Sequence, residues 1–127
     1  MTKVVYNACY GGFGLSEEAM MRYAEIKGIK LYVERDKWEF PTYWTVSPED
    51  RIEGSYFYSK NTIYDGDLSR TDPVLVQVVE ELGSEKASGT HAKLNIEDVP
   101  TGIRYHIHDY DGFESIRTPE DYCWETA

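Results

Sequence analysis

The stretch NACYGGFGLS, residues 7–16, places a glycine-rich turn between a β-forming segment and the start of a helix. Glycine lets the backbone approach a ligand closely or adopt a positive φ. The N–H groups at a helix N-terminus attract anionic groups, and a neighbouring aromatic ring can stack on a base. We therefore predict a small-molecule site formed by Asn7, Tyr10, Gly11, Gly12, Phe13, Gly14 and Ser16. The alternative is a tight turn that needs glycine only for close packing.

An anionic ligand at this turn would need a cation from elsewhere in the chain. The glycine spacing matches neither the dinucleotide fingerprint G-x-G-x-x-G nor the P-loop, and no lysine follows it. Glu17 and Glu18 lie in the first helical turn and oppose an anion if they face it. The candidate cations are Arg22 on the first predicted helix and Arg104 on a predicted strand. The alternative for each arginine is a weak ion pair on the surface.

Two further patterns in the sequence bear on metal binding and catalysis. His106 and His108 would face the same side of a strand, and His91 is the nearest third ligand for zinc. The alternative is a pair of histidines on the polar face of a hairpin, and we predict no metal. Cys9 is a candidate nucleophile, but cysteine is also a common small buried residue. Since no catalytic signature such as G-x-S-x-G or H-E-x-x-H occurs, we predict neither catalysis nor a cofactor.

The composition fits one compact domain over residues 1–127, with a net charge of −10. This charge repels nucleic acids and anionic membranes, so we expect neither as a direct partner. There is no apolar signal core and no membrane-length apolar stretch, and the 2 cysteines suit a reducing compartment, so we expect a cytoplasmic protein. The 11 tyrosines suit a ligand site and subunit interfaces, which favours a homo-oligomer, although a ring-rich core is the alternative.

Local signals predict the first half of the fold. The β-forming residues 3–9 predict a strand. Ser16 is a good N-cap and Gly28 a good stop signal, so a helix is predicted between them. Residues 34–70 are rich in aromatic rings and punctuated by proline and glycine, which predicts an elaborated loop or hairpin. Within that segment, residues 56–58 are predicted to form a short strand.

The second half of the chain contains a helix and a hairpin signal. A second helix is predicted to begin at Pro73, capped by Asp72, and to end at Gly83. Alternating apolar and polar residues predict strands over 92–97 and 103–108 that pair with each other, with the first strand beside them. A turn at Asp111 and Gly112 and an edge strand over 113–116 follow. The predicted class is α+β, a small mixed or antiparallel sheet with two helices packed on one side.

Three stretches of the sequence also carry a family resemblance. They are VVYNACYGGFGLSEEA, DPVLVQVVEELGSEKASG and IEDVPTGIRYHIHDYDGFESI. Together they resemble a family of short, mostly uncharacterised proteins of tailed bacteriophages and prophages with an N-x-C-Y-G-G-F-G-L-S motif. The middle third of the chain has no counterpart in this resemblance. In that family an aromatic ring tends to stand at the position of His106 and another polar residue at that of His108, which argues against a zinc site.

The resemblance implies a phage origin and, by analogy, a role against host defence. The first hypothesis is a homo-oligomeric sponge in the infected cell. It would bind and sequester a nucleotide immune signal, a cyclic ADP-ribose isomer or a cyclic oligonucleotide, without cleaving it. The second is an acidic protein-binding inhibitor or nucleic-acid mimic that acts on a host defence protein through the acidic residues 109–125 and the rings of the middle segment. The third is an enzyme acting on a nucleotide or a small metabolite through Cys9 or the histidines.

Overall fold

A computed structural model describes residues 1–119 of the chain. Within that part, three helices and seven short strands form an α+β fold, which confirms the predicted class. The elements are β1 (Thr2–Asn7), α1 (Glu17–Lys27), β2 (Tyr32–Arg35), β3 (Pro41–Trp44), α2 (Ser55–Asn61), β4 (Thr62–Ile63), α3 (Pro73–Ala87), β5 (Leu94–Val99), β6 (His106–Tyr110) and β7 (Phe113–Arg117). None of the helices in the described part has the length and apolar character needed to cross a bilayer.

The centre of the fold is the antiparallel pair β1–β5, in which Val5 lies opposite Ile96. Successive residues of a strand point to opposite faces, and Val4 and Val5 are both fully buried, so both faces of this pair are covered. Helices α1 and α3 cover the face of Val5 and form the main core with it. The β6–β7 hairpin covers the face of Val4, where Ile116 completes a smaller core. The prediction of two helices on one side of a small antiparallel sheet is thus confirmed.

The two long helices begin where their capping residues predict. The Ser16 side chain accepts a hydrogen bond from the Ala19 N–H, and α1 ends at Gly28, whose φ is 74°. The Asp72 side chain accepts from the Val74 N–H at the start of α3. Gly83, with φ 79° and ψ 164°, breaks the regular helix as predicted, but one further turn continues to the end of α3.

The middle third is a small sheet of its own rather than a loop. Strands β2, β3 and β4 pair antiparallel in that order, so the hairpin interpretation of this segment holds for β2–β3. The strand predicted at residues 56–58 is wrong, because these residues lie in α2. The helix brings two consecutive rings onto the buried Trp44, with ring centres 6.5 Å away for Phe57 and 5.5 Å away for Tyr58. A strand would have pointed those two rings in opposite directions.

The pairing predicted between residues 92–97 and 103–108 is also wrong. Strand β5 pairs with β1, and β6 pairs with β7. The β6–β7 connection is a two-residue turn in which Asp111 has φ 51° and Gly112 has φ 87°. A turn with two positive φ values matches the twist of a tight hairpin and fixes that pairing locally. The strands are consequently divided among three small antiparallel sheets instead of one.

Candidate functional site

A cavity of about 340 Å³ opens beside the glycine turn, where the turn meets the sheet of the middle third. Three separate segments face the turn across it: the start of β3, the end of α2 with β4 and the residues that follow, and the loop before β5. We call this cavity the aromatic cleft. It is lined by Gly11, Gly12, Phe13, Gly14, Leu15, Phe40, Pro41, Thr42, Tyr43, Tyr58, Thr62, Ile63, Tyr64, Asp65, Gly89, Thr90, His91 and Ala92.

The glycines of the turn have different tasks. A Cβ on Gly11 would lie 1.5 Å from the His91 carbonyl oxygen, so Gly11 is required for close packing. Gly12 has a φ of +88°, which a side chain disfavours. Gly14 is different, because a Cβ there would meet only an Asp65 carboxylate oxygen at 3.8 Å. The fold therefore requires glycine at positions 11 and 12. It does not require glycine at position 14, where the missing side chain leaves space in the cleft.

The N-terminus of α1 already holds a carboxylate. The Leu15 N–H donates to Asp65 Oδ2 over 2.9 Å, and the Ser16 N–H donates to the Ala87 carbonyl over 2.9 Å. The Ser16 hydroxyl caps the helix and donates to the Lys86 carbonyl over 2.6 Å. An external anion placed at this helix end would meet the charge of Asp65. The anion site expected from the sequence is thus occupied in part by the protein itself.

The charged group in the described lining of the cleft is a carboxylate. Asp65 is the one carboxylate among the described lining residues, which include no lysine or arginine. Burial, followed by the negative charges of Glu17 and Asp65, raises the pKa of the Tyr43 phenol. The phenol stays protonated at neutral pH and is available as a hydrogen-bond donor at the cleft wall.

A second hollow adjoins the aromatic cleft and shares Leu15, Pro41, Tyr43, Gly89 and Thr90 with it. It adds Ser16 and the charged residues Glu17, Arg35 and Glu39. The Arg35 guanidinium is hydrogen-bonded to the Glu17 carboxylate. Arg35 is thus a cation in the hollow that shares a wall with the cleft, and sequence reasoning did not predict it as a ligand residue.

The structure gathers only some of the predicted ligand residues. Gly11, Gly12, Phe13 and Gly14 line the cleft, and Ser16 lines the adjoining hollow. The two predicted arginines lie elsewhere. Arg22 forms ion pairs with Glu81 at 2.9 Å and Glu25 at 3.1 Å, and Arg104 lies in the exposed connection between β5 and β6. Tyr10 is not among the lining residues, and its ring packs on Phe113 with centres 5.0 Å apart.

Asn7 belongs to a buried polar cluster, which we define as Asn7, Arg70 and Glu114. The Asn7 side-chain amide donates to the Cys9 and Gly112 carbonyls over 2.8 Å each, and its oxygen accepts from the Lys93 N–H over 2.8 Å. Arg70 donates to Glu114 through both terminal nitrogens, over 2.6 and 3.0 Å, and Glu114 also accepts from the Asn7 N–H over 2.8 Å. These bonds tie the end of β1, which leads into the glycine turn, to β7 and to the turn before β7.

Phe13 separates the buried polar cluster from the cleft. The guanidinium carbon of Arg70 lies 3.5 Å from the centre of the Phe13 ring, a cation–π contact. Phe13 also lines the cleft. Arg70 is thereby held in the cluster, under the ring, and is not among the lining residues of the cleft.

The other candidate chemistries receive no added support. The Cys9 thiol donates to the His91 carbonyl over 3.1 Å, so it faces backbone rather than a histidine ring. His106 and His108 lie on β6 with exposed side chains. Within residues 1–119 no three His, Cys, Asp or Glu side chains are grouped so as to hold a metal ion. The acidic segment 109–125 extends beyond the described residues.

Sequence reasoning missed the opposite walls of the cleft. Phe40 and Tyr43 come from the aromatic run WEFPTYW, residues 38–44, within the segment predicted only as an elaborated loop or hairpin. Tyr64 and Asp65 follow β4, and His91 comes from the loop after α3. These residues are separated from the turn by 26 to 80 positions (Gly14 to Phe40 and Gly11 to His91), and no local pattern links them to it.

Comparison with known proteins leaves the geometry as the basis for a functional argument. No family model matches the chain, and neither a curated protein nor a solved structure shows significant similarity to it. The resemblance to phage proteins remains a prediction from the sequence motifs. The structure contributes the aromatic cleft, the one carboxylate among its described lining residues and Arg35 in the adjoining hollow.

Proposed function

We propose that the protein is a non-catalytic binding protein that captures a small nucleotide-like molecule in the aromatic cleft and holds it unchanged. The single observation that carries this proposal is a cavity of about 340 Å³ with aromatic walls and a bare glycine floor. Small-molecule sites fall in the range of about 300–1,000 Å³ and combine apolar walls with a few polar groups. The cleft fits that description at its small end, which suits a base with its sugar.

The cleft is lined by aromatic rings that expose half or more of their surface, although Tyr58 also contacts Trp44 edge-to-face. Phe40 is 68%, Tyr58 50% and Tyr64 66% exposed. A base inserted between such rings removes apolar surface from water, and base–aromatic stacking contributes about 1–3 kcal/mol per base. Large exposed rings grouped around one concavity are typical of a binding surface rather than of a folding core.

The phosphate of a nucleotide would lie away from Asp65, toward Arg35 in the adjoining hollow. Arg35 would exchange its exposed pair with Glu17 for the ligand phosphate, a small loss because exposed ion pairs contribute little. A second copy of the chain is the other source of a cation, and we propose a homo-oligomer on this ground. In the phage setting that the sequence resembles, the captured molecule is a nucleotide immune signal, sequestered in the cytoplasm of the infected cell.

Binding is tested by thermal shift with nucleosides, cyclic oligonucleotides and cyclic ADP-ribose isomers, since a ligand of the folded state raises the melting temperature. We expect Phe40→Ala to lose the shift. Trp38→Ala is the matched control, because both rings are 68% exposed and only Phe40 lines the cleft. Denaturing the complex should return the ligand intact, whereas an enzyme would return a product. If none of these ligands raises the melting temperature when it is added well above micromolar concentration, the proposal is wrong.

A second candidate function is a protein-binding inhibitor, and one observation favours it. Tyr110 is 68% and Phe113 37% exposed at the tip of the β6–β7 hairpin, and Tyr10 packs on Phe113 from the glycine turn. Asp109 and Asp111 flank these rings. Rings among carboxylates would suit a basic patch on a host protein. Binding to a defence protein that Tyr110→Ala abolishes, while Phe40→Ala leaves it intact, would favour this function over the first.

A further inference from the structure

We infer that Asp65 makes the aromatic cleft selective for a guanine base, which it recognises through two adjacent N–H donors on the edge of the ring. This inference rests on the proposed function and names the chemical class of its ligand. The juxtaposition that carries it is one anchored carboxylate in the lining of an aromatic cavity whose described lining residues include no lysine or arginine.

The carboxylate of Asp65 is held in place before any ligand arrives. Its Oδ2 accepts the Leu15 N–H over 2.9 Å, which ties the Asp65–Asp67 turn to the start of α1. Within residues 1–119, Oδ1 forms no hydrogen bond and the side chain forms no ion pair. Oδ2 is therefore anchored but keeps a second lone pair, and Oδ1 is unpaired within the described residues, so both oxygens can accept hydrogen bonds from a ligand. A preorganised group loses little freedom on binding.

The Tyr64 ring lies close to Gly66 in the same turn as the carboxylate. Gly66 leaves space for the Tyr64 ring, since a Cβ there would lie 2.5 Å from Tyr64 Cε1. Tyr64 and Asp65 thus present a ring and a carboxylate from consecutive positions of one tight turn. A planar ligand that stacks on the cleft walls would direct one edge toward the carboxylate.

An ionised carboxylate only accepts hydrogen bonds, so the ligand must supply donors. Guanine carries N1–H and N2–H side by side, and these can reach both carboxylate oxygens as the parallel pair that a guanidinium forms. Adenine and cytosine place one amino donor beside a ring nitrogen that accepts, and this nitrogen would face the carboxylate. Uracil places its single N–H between two carbonyls. Among the common bases, only guanine presents two adjacent donors to the carboxylate with no acceptor between them.

The experiment is calorimetric titration with nucleosides, which carry no phosphate and therefore report on the base alone. Guanosine should bind at least about tenfold more tightly than inosine, which lacks only the N2 amino group, and than adenosine or cytidine. Asp65→Asn should remove this preference, because the amide nitrogen would oppose a donor. The amide oxygen can still accept the Leu15 N–H, which preserves the turn. Asp67→Asn is the matched control: it makes the same charge change in the same turn, outside the cleft lining.

The outcomes separate this inference from the proposed function. If all nucleosides bind the unmodified protein with similar affinity, the selectivity is refuted and the binding function stands. If neither nucleosides nor nucleotides bind, both are refuted. An arginine derivative that binds more tightly than guanosine, and does so only with Asp65 intact, would show that the cleft recognises a free guanidinium instead. The guanosine–inosine comparison needs no variant, so it decides the matter even if Asp65→Asn fails to fold.

Discussion

The two sides of the glycine turn differ in how completely their polar groups are paired. Below the turn, in the buried polar cluster, Glu114 is 5% exposed and both of its oxygens are bonded. Above the turn, in the aromatic cleft, Asp65 uses one oxygen for the backbone and keeps the other unpaired within the described residues. Phe13 lies between the two, because its ring contacts Arg70 of the buried polar cluster and also lines the aromatic cleft.

The difference shows how one short motif serves both folding and binding. Gly11 and Gly12 belong to the closed side, where close approach and a positive φ are required. Gly14 belongs to the open side, where the missing side chain leaves space. A saturated cluster stabilises and cannot respond to a ligand, whereas exposed rings and an unpaired acceptor gain partners only when something binds. The comparison can be tested from either side.

The largest effect is expected from breaking the closed side. Glu114→Gln would leave the Arg70 guanidinium, whose side chain is 18% exposed, without its carboxylate. We expect a loss of about 3 kcal/mol or more in the free energy of unfolding, measured by urea denaturation. Glu80→Gln is the control, because its pair with Lys3 is about half exposed and should leave stability unchanged. Equal stabilities of the two variants would remove the distinction between a buried pair and a surface pair.

A smaller effect is expected from the glycines themselves. Gly11→Ala would drive a methyl group against the His91 carbonyl, and we expect a loss of about 2–3 kcal/mol in the same measurement. Gly14→Ala is its matched control, since the added carbon would be in ordinary contact with Asp65 and should change stability by less than about 0.5 kcal/mol. The control should instead weaken nucleoside binding. The reverse order of stabilities would contradict the division of the turn into two sides.

The smallest effect on stability is expected at high pH and comes from Tyr23 in α1. Burial, followed by the hydrogen bond to Asp72, raises the pKa of Tyr23 from 10.0 to about 12. Because the unfolded phenol loses its proton first, stability is fully present below pH 10 and falls as pH rises toward about 12. Tyr23→Phe should flatten this decline in thermal melts across that window. A decline of the same size in the variant would assign it to other groups.

Both ends of α1 and the start of α3 were predictable because their signals are local. Ser16 and Asp72 cap helices through bonds to N–H groups two or three residues away, and Gly28 stops a helix through its own φ. The pairing of β5 was not predictable in the same way. Alternating residues show that a strand has one wet face, but they do not say which edge it pairs with. The turn at Asp111 and Gly112 joined β6 to β7, and β5 paired with β1.

The sequence by itself determined the α+β class, both ends of α1, the start of α3 and the presence of a glycine turn beside aromatic rings. Only the tertiary structure decided what faces that turn. It placed Asp65 on Leu15 across 50 positions of sequence and Arg70 on Glu114 across 44, and it left Arg22 and Arg104 outside the cleft. The physical reason is range: caps and turn angles act within a few residues, whereas a cavity forms from segments that meet only after the core has packed.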